Sequence, residues 1–182
     1  MVKFTFAYCV LLVFPFRATA QTEFVNDVKT ESSVTYQLDH PLHEIEATSN
    51  DVSIRLEVDP GRKVIRSVFS DIDVTTFDSG NSNRDSHAME VVDAIDYPDV
   101  TFSSTSIAEA HDGFAVAGKL TFHGITNDLT AAVVPTWRVD TLEVRGDFAI
   151  SLTAYHVDRP SLLMIPVSDT LHFLLKAVFS LK

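Results

Sequence analysis

The chain has 182 residues, 46% of them hydrophobic, a formal net charge of -11 and a single cysteine. An acidic surface repels phosphates and anionic headgroups, which argues against nucleic acid as a partner and against adsorption to a membrane surface. One thiol rules out an intrachain disulfide, and the length is that of one domain stabilised by an apolar core.

Residues 1–3 form a short basic start, residues 4–16 an unbroken apolar run, and Ala18-Thr19-Ala20 stands before Gln21 in the small-x-small form of a signal peptidase site. This pattern predicts a cleaved signal peptide over residues 1–20, hence an exported protein, periplasmic or secreted. The run is too short to span a bilayer, and no later segment reaches spanning length. Removing 20 of 182 residues leaves 162 and takes Cys9, Lys3 and Arg17 with it. The 14 basic side chains become 12 against 25 acidic ones, and the net charge falls from -11 to -13. Thiol catalysis and cysteine-based metal sites are then excluded.

Residues 21–33 read as a loose lead-in, and strands begin over 34–40. Residues 51–59 alternate Val52, Ile54, Leu56 and Val58 with polar neighbours, the period of a half-buried strand, before a turn at Pro60-Gly61. Residues 63–70 and 72–77 are two strands, or one bent near Asp71. The period changes over 79–105. Gly80, Asn81 and Asn83 turn the chain, Ser82 and Asp85 are spaced to cap a helix, and Ala88, Val91, Val92 and Ile95 supply one apolar face until Tyr97-Pro98 stops it. Strands resume over 100–107, 114–122, 129–137, 142–152 and 171–181. His111-Asp112-Gly113 and 123–126 turn the chain, Pro135 marks an edge or bulge, and prolines interrupt 159–166. The expected fold is all-β: an antiparallel eight-stranded barrel over residues 34–182 with one short covering helix, closed because closure removes exposed edges.

Four segments carry a resemblance: residues 84–87 (Arg-Asp-Ser-His), 97–105 (Tyr-Pro-Asp-Val-Thr-Phe-Ser-Ser-Thr), 118–126 (Gly-Lys-Leu-Thr-Phe-His-Gly-Ile-Thr) and 167–171 (Val-Ser-Asp-Thr-Leu). In this order and spacing the chain resembles the YceI-like family over residues 36–179. The resemblance implies an exported, lipocalin-like barrel that binds a polyisoprenoid, an isoprenoid quinone or another long-chain lipid.

On that reading the partner is a hydrophobic small molecule, and Phe102, Phe114, Phe122, Phe148, Ile150 and Phe173 are the expected wall of its tunnel. Each buried methylene contributes about 0.8 kcal/mol, so a few isoprene units suffice for useful affinity. The same side chains also suit a filled core, which would make the protein a ligand-free envelope or secreted interaction module. Arg84, Asp85 and His87 are the expected mouth; a helix cap, a surface ion pair and a bond from His87 to a backbone carbonyl are the structural alternatives. His40 with His43, and His123, are the best metal-ligand candidates, yet no helical His-x-x-x-His spacing supports them, and neither metal nor cofactor is expected. Gly-x-Ser-x-Gly and phosphate-loop patterns are absent, and Ser103 and Ser104 have no evident base, so the expected protein is not an enzyme.

Overall fold

A computed structural model describes residues 22–41, 43–162 and 164–181, with only the backbone of His43 and Leu162. The predicted signal peptide and Cys9 lie outside the described residues. The fold is all-β with one short helix. Its strands are β1 (Glu23–Asn26), β2 (Ser33–His40), β3 (His43–Ser49), β4 (Val52–Asp59), β5 (Val64–Asp73), β6 (Asp99–Ala110), β7 (Gly113–Phe122), β8 (Ile125–Trp137), β9 (Thr141–Ser151), β10 (Ser161–Leu162), β11 (Ile165–Pro166) and β12 (Thr170–Ser180). Helix α1 spans Ser82–Val91.

Ten strands, where the sequence predicts eight, form one antiparallel sheet in the order β1-β4-β5-β6-β7-β8-β9-β12-β2-β3, and β10 and β11 pair separately. The sheet curls into a half-barrel whose edges are tied back. Val28 N–H bonds the Val178 carbonyl at 2.7 Å beside β1, and Thr48 of β3 exchanges two backbone bonds of 3.0 Å with Asp78. The extra strands come from two segments not read as strands in the sequence. The expected loose lead-in contains β1, whose short run pairs with β4 from Glu23↔Val58 to Asn26↔Arg55. The other is β3, which alternates charged and apolar residues and folds back on β2 with His40 opposite His43. Residues 63–77 form one strand to Asp73 followed by a short 3-10 turn, Val74–Thr76.

Inward positions follow the two-residue period. Val52, Ile54, Leu56 and Val58 of β4 are all buried. Along β9 and β12 the inward residues meet in register: Ile150 with Leu171, Phe148 with Phe173, Gly146 with Leu175, Val144 with Ala177 and Leu142 with Phe179. Such directly opposed pairs are the unit of sheet stabilisation. Pro135 pairs with Val144 of β9 beyond the point where β7 ends its ladder at Phe114↔Val133. It therefore sits on a locally one-sided edge, where a missing N–H costs little.

The helix differs from its prediction at both ends. Asn81, not Ser82, is the cap: its side chain accepts bonds from the Asn83 and Arg84 backbone N–H groups. Asp85 instead reaches back to the backbone N–H and hydroxyl of Ser79. The helix ends at Val91, before the proline, because Asp93 turns into the left-handed region (φ 47°). Ile95 consequently leaves the apolar face and is 97% exposed, while the neighbouring Ala94 is buried.

Candidate functional site

The curled sheet encloses a cavity of about 260 Å³, to which every strand of the main sheet except β1 contributes and over which α1 lies. Only Tyr36, Ser70, Arg84, Asp85 and His87 bring polar side-chain atoms to its wall among the described residues. The volume lies just below the range of small-molecule pockets, which starts at about 300 Å³. Small residues at inward positions, Ala131, Gly146 and Ala177, line this space where larger side chains would fill it.

Phe102, Phe114, Phe122, Phe148, Ile150 and Phe173 all line the cavity. Phe148 and Phe173 stack with ring centres 5.1 Å apart and planes 12° apart. Tyr36 lies edge-on to Phe173 at 6.5 Å and tilted against Phe77 at 5.3 Å, so an aromatic row runs from β9 through β12 and β2 toward the helix. Phe102 packs on Gly118 of β7: a Cβ there would come within 2.5 Å of its ring and 2.4 Å of the Ser103 carbonyl. That close approach requires glycine.

Arg84, Asp85 and His87 also line the cavity, at the helix side. Asp85 is taken up by Ser79, and the Arg84 guanidinium reaches only the Ser79 carbonyl, at 3.5 Å through Nη2. Its Nε is buried with no hydrogen-bond partner among the described residues. Burial, reinforced by the Asp85 carboxylate, holds the Tyr36 phenol above its ordinary value, while Arg84 pulls it down. The phenol and the guanidinium therefore feel one another at the same end of the cavity. His87 is largely exposed and stands 3.7 Å from the Glu90 carboxylate rather than on a backbone carbonyl.

The remaining histidine candidates are dispersed. His40 Nε2 lies 3.1 Å from the Ile165 carbonyl, the His43 side chain is outside the described residues, and His123 bridges the Tyr155 carbonyl and Asp93. Among the described residues no group of three or more histidine, cysteine or carboxylate side chains is placed to hold a metal ion. Ser104 accepts the Val68 N–H at 2.9 Å, a structural bond beside the β6 bulge. Tyr36, Phe77 and Phe179 are the aromatic wall residues among those described that sequence reasoning passed over. Tyr36 was legible as an inward position of β2, two residues from both Val34 and Leu38.

A family model for the YceI-like domain matches residues 26–179, nearly the whole described chain. The chain belongs to the YceI-like domain family. It is 28% identical over 119 residues to a UPF0312 protein of Vibrio cholerae serotype O1, the match covering 63% of each chain, and thus under two thirds of that relative's length. A UPF0312 protein of Vibrio campbellii is 27% identical over 131 residues, 70% of this chain and 69% of that one. Among solved structures, Burkholderia cenocepacia BcnA superposes with a TM-score of 0.75 at 25% identity, over 84% of this chain and 98% of that one. A polyisoprenoid binding domain from Saccharophagus degradans, implicated in plant cell wall breakdown, shares the fold with a TM-score of 0.59 at 11% identity, over 87% and 98% of the two chains. No helix among the described residues is long and apolar enough to cross a membrane.

Proposed function

We propose that this protein is an exported carrier that holds the apolar chain of an isoprenoid or fatty molecule inside the curled sheet. The observation that carries the reading is the cavity itself: an interior of about 260 Å³ walled almost entirely by apolar side chains, where an interaction module without a ligand needs a filled core. The name of the Saccharophagus degradans domain and the leader pattern in residues 1–20 support it.

The wall is formed by Phe102, Phe114, Phe122, Phe148, Ile150 and Phe173, and the tail points toward Leu142 and Phe179. The mouth is formed by Arg84, Asp85 and His87 on the helix. A buried guanidinium nitrogen without a partner is costly, and an oxygen acceptor on the ligand head offsets that cost. The ligand is accordingly an amphiphile whose hydroxyl, carbonyl or acidic oxygen meets Arg84. Transport of such a molecule needs no chemical step, and no catalytic group is assigned.

Titration with prenols of increasing length tests this reading. Each added methylene should contribute up to about 0.8 kcal/mol until the cavity is filled, after which affinity levels off. Affinity independent of chain length would overturn it.

A further inference from the structure

We propose that His123 is a proton-operated latch on the helix covering the cavity, so that pH sets how fast ligand enters and leaves; the inference rests on the reading of the cavity as the ligand site. Helix α1 buries none of its residues, so its packing alone fixes it weakly. Its leading end is tied by the backbone bonds between Thr48 and Asp78, which no proton controls. Its trailing end is tied through Asp93 to the turn between β7 and β8.

That tie has a particular chemistry. His123 Nδ1 lies 2.9 Å from the Tyr155 carbonyl and Nε2 lies 3.1 Å from Asp93 Oδ2. A carbonyl and a carboxylate both accept, so each contact needs an N–H, and a neutral imidazole has only one. Both bonds exist together only in the imidazolium. On loss of the proton one bond fails. Asp93, 60% exposed against 12% for His123, is the partner free to turn into water.

The surroundings are built for this contact. Asp93 (φ 47°), His123 (φ 49°) and His156 (φ 58°) are non-glycine residues in the left-handed region, and all three line one cleft between the helix end, the β7–β8 turn and the segment after β9. Such backbone is held only where its surroundings enforce it. Tyr97 packs edge-on against the His123 ring at 4.9 Å. The other charged and titratable groups of the cleft are His87 and Glu90 on the helix and His156, Asp158 and Arg159 across it. Arg159 is bound to the Val167 carbonyl. His87, Val91 and Pro160 line both this cleft and the cavity, so movement here alters the cavity's boundary.

The test follows hydrogen exchange of the helix amides, corrected for intrinsic rates, and release of retinol, a fluorescent isoprenoid, from about pH 5 to about pH 8, where imidazoles change charge. In the unaltered protein both should accelerate about two- to fivefold as pH rises, the size expected of a partly exposed ion pair. Asp93→Asn, which tolerates the left-handed backbone, supplies an N–H to the neutral Nε2 and should flatten or invert the pH dependence. His123→Asn should be fast at every pH. The same pH dependence in all three proteins would overturn the latch. Helix exchange that follows pH without retinol binding would keep the latch and remove the ligand reading; pH-independent exchange with tight retinol binding would do the reverse.

Discussion

The two ends of the cavity are built differently. At one end Leu142 and Phe179 face each other in register, both 0% exposed, inside continuous β ladders. At the other, α1 buries no residue, and Asp93, His123 and His156 adopt left-handed backbone. Stability is concentrated where side chains interlock. Three of the five left-handed non-glycine residues among those described gather at the helix end, where a ligand would pass, as is usual for sites that must open.

Substitutions can break or sharpen this contrast. Phe179→Ala removes a fully buried ring from the closed end and should cost about 3–5 kcal/mol in urea unfolding. Gly118→Ala forces a methyl into the Phe102 ring and the Ser103 carbonyl, and about 1–3 kcal/mol is expected by the same measurement. Phe148→Trp enlarges a ring that lines open space, so stability should move by less than about 1.5 kcal/mol while prenol uptake falls about tenfold. Arg84→Met replaces an unpartnered guanidinium at the open end. It should leave stability unchanged or raised by about 1 kcal/mol, yet weaken an oxygen-headed ligand about tenfold by calorimetry. A stability loss with normal binding would make Arg84 structural.

The smallest effect is electrostatic. Asp169 accepts the Ser151 hydroxyl at 2.6 Å and the Thr153 N–H at 2.9 Å, and these bonds hold its carboxyl below the ordinary value. A depressed folded value means stability present above the unfolded value, about 3.9, and lost as pH falls through the folded one. Because this group is well solvated, Asp169→Asn should remove only about 0.5 kcal/mol near neutrality, with the difference vanishing in acid melts.

The strong strands were legible in the sequence because alternation continues long enough to define a face: 51–59, 114–122 and 142–152 all fold with the inward residues predicted. β1 and β3 were not, since β1 is a four-residue strand ordered by its neighbour β4 and the charged–apolar alternation of β3 lasts only from Glu44 to Ala47. The helix was visible but its end was not. The left-handed turn at Asp93 is set by tertiary contacts, among them the bond to His123 thirty residues on. The wall phenylalanines were visible by face, whereas the hollow depends on small residues such as Gly146 opposite Leu175, a pairing that requires the register.

The decisive experiment is native mass spectrometry of the protein purified without detergent from the cells that make it. The account predicts a reproducible adduct of lipid mass that is released on denaturation. A clean apo mass, unchanged after incubation with prenols, quinones and fatty amides, would contradict it.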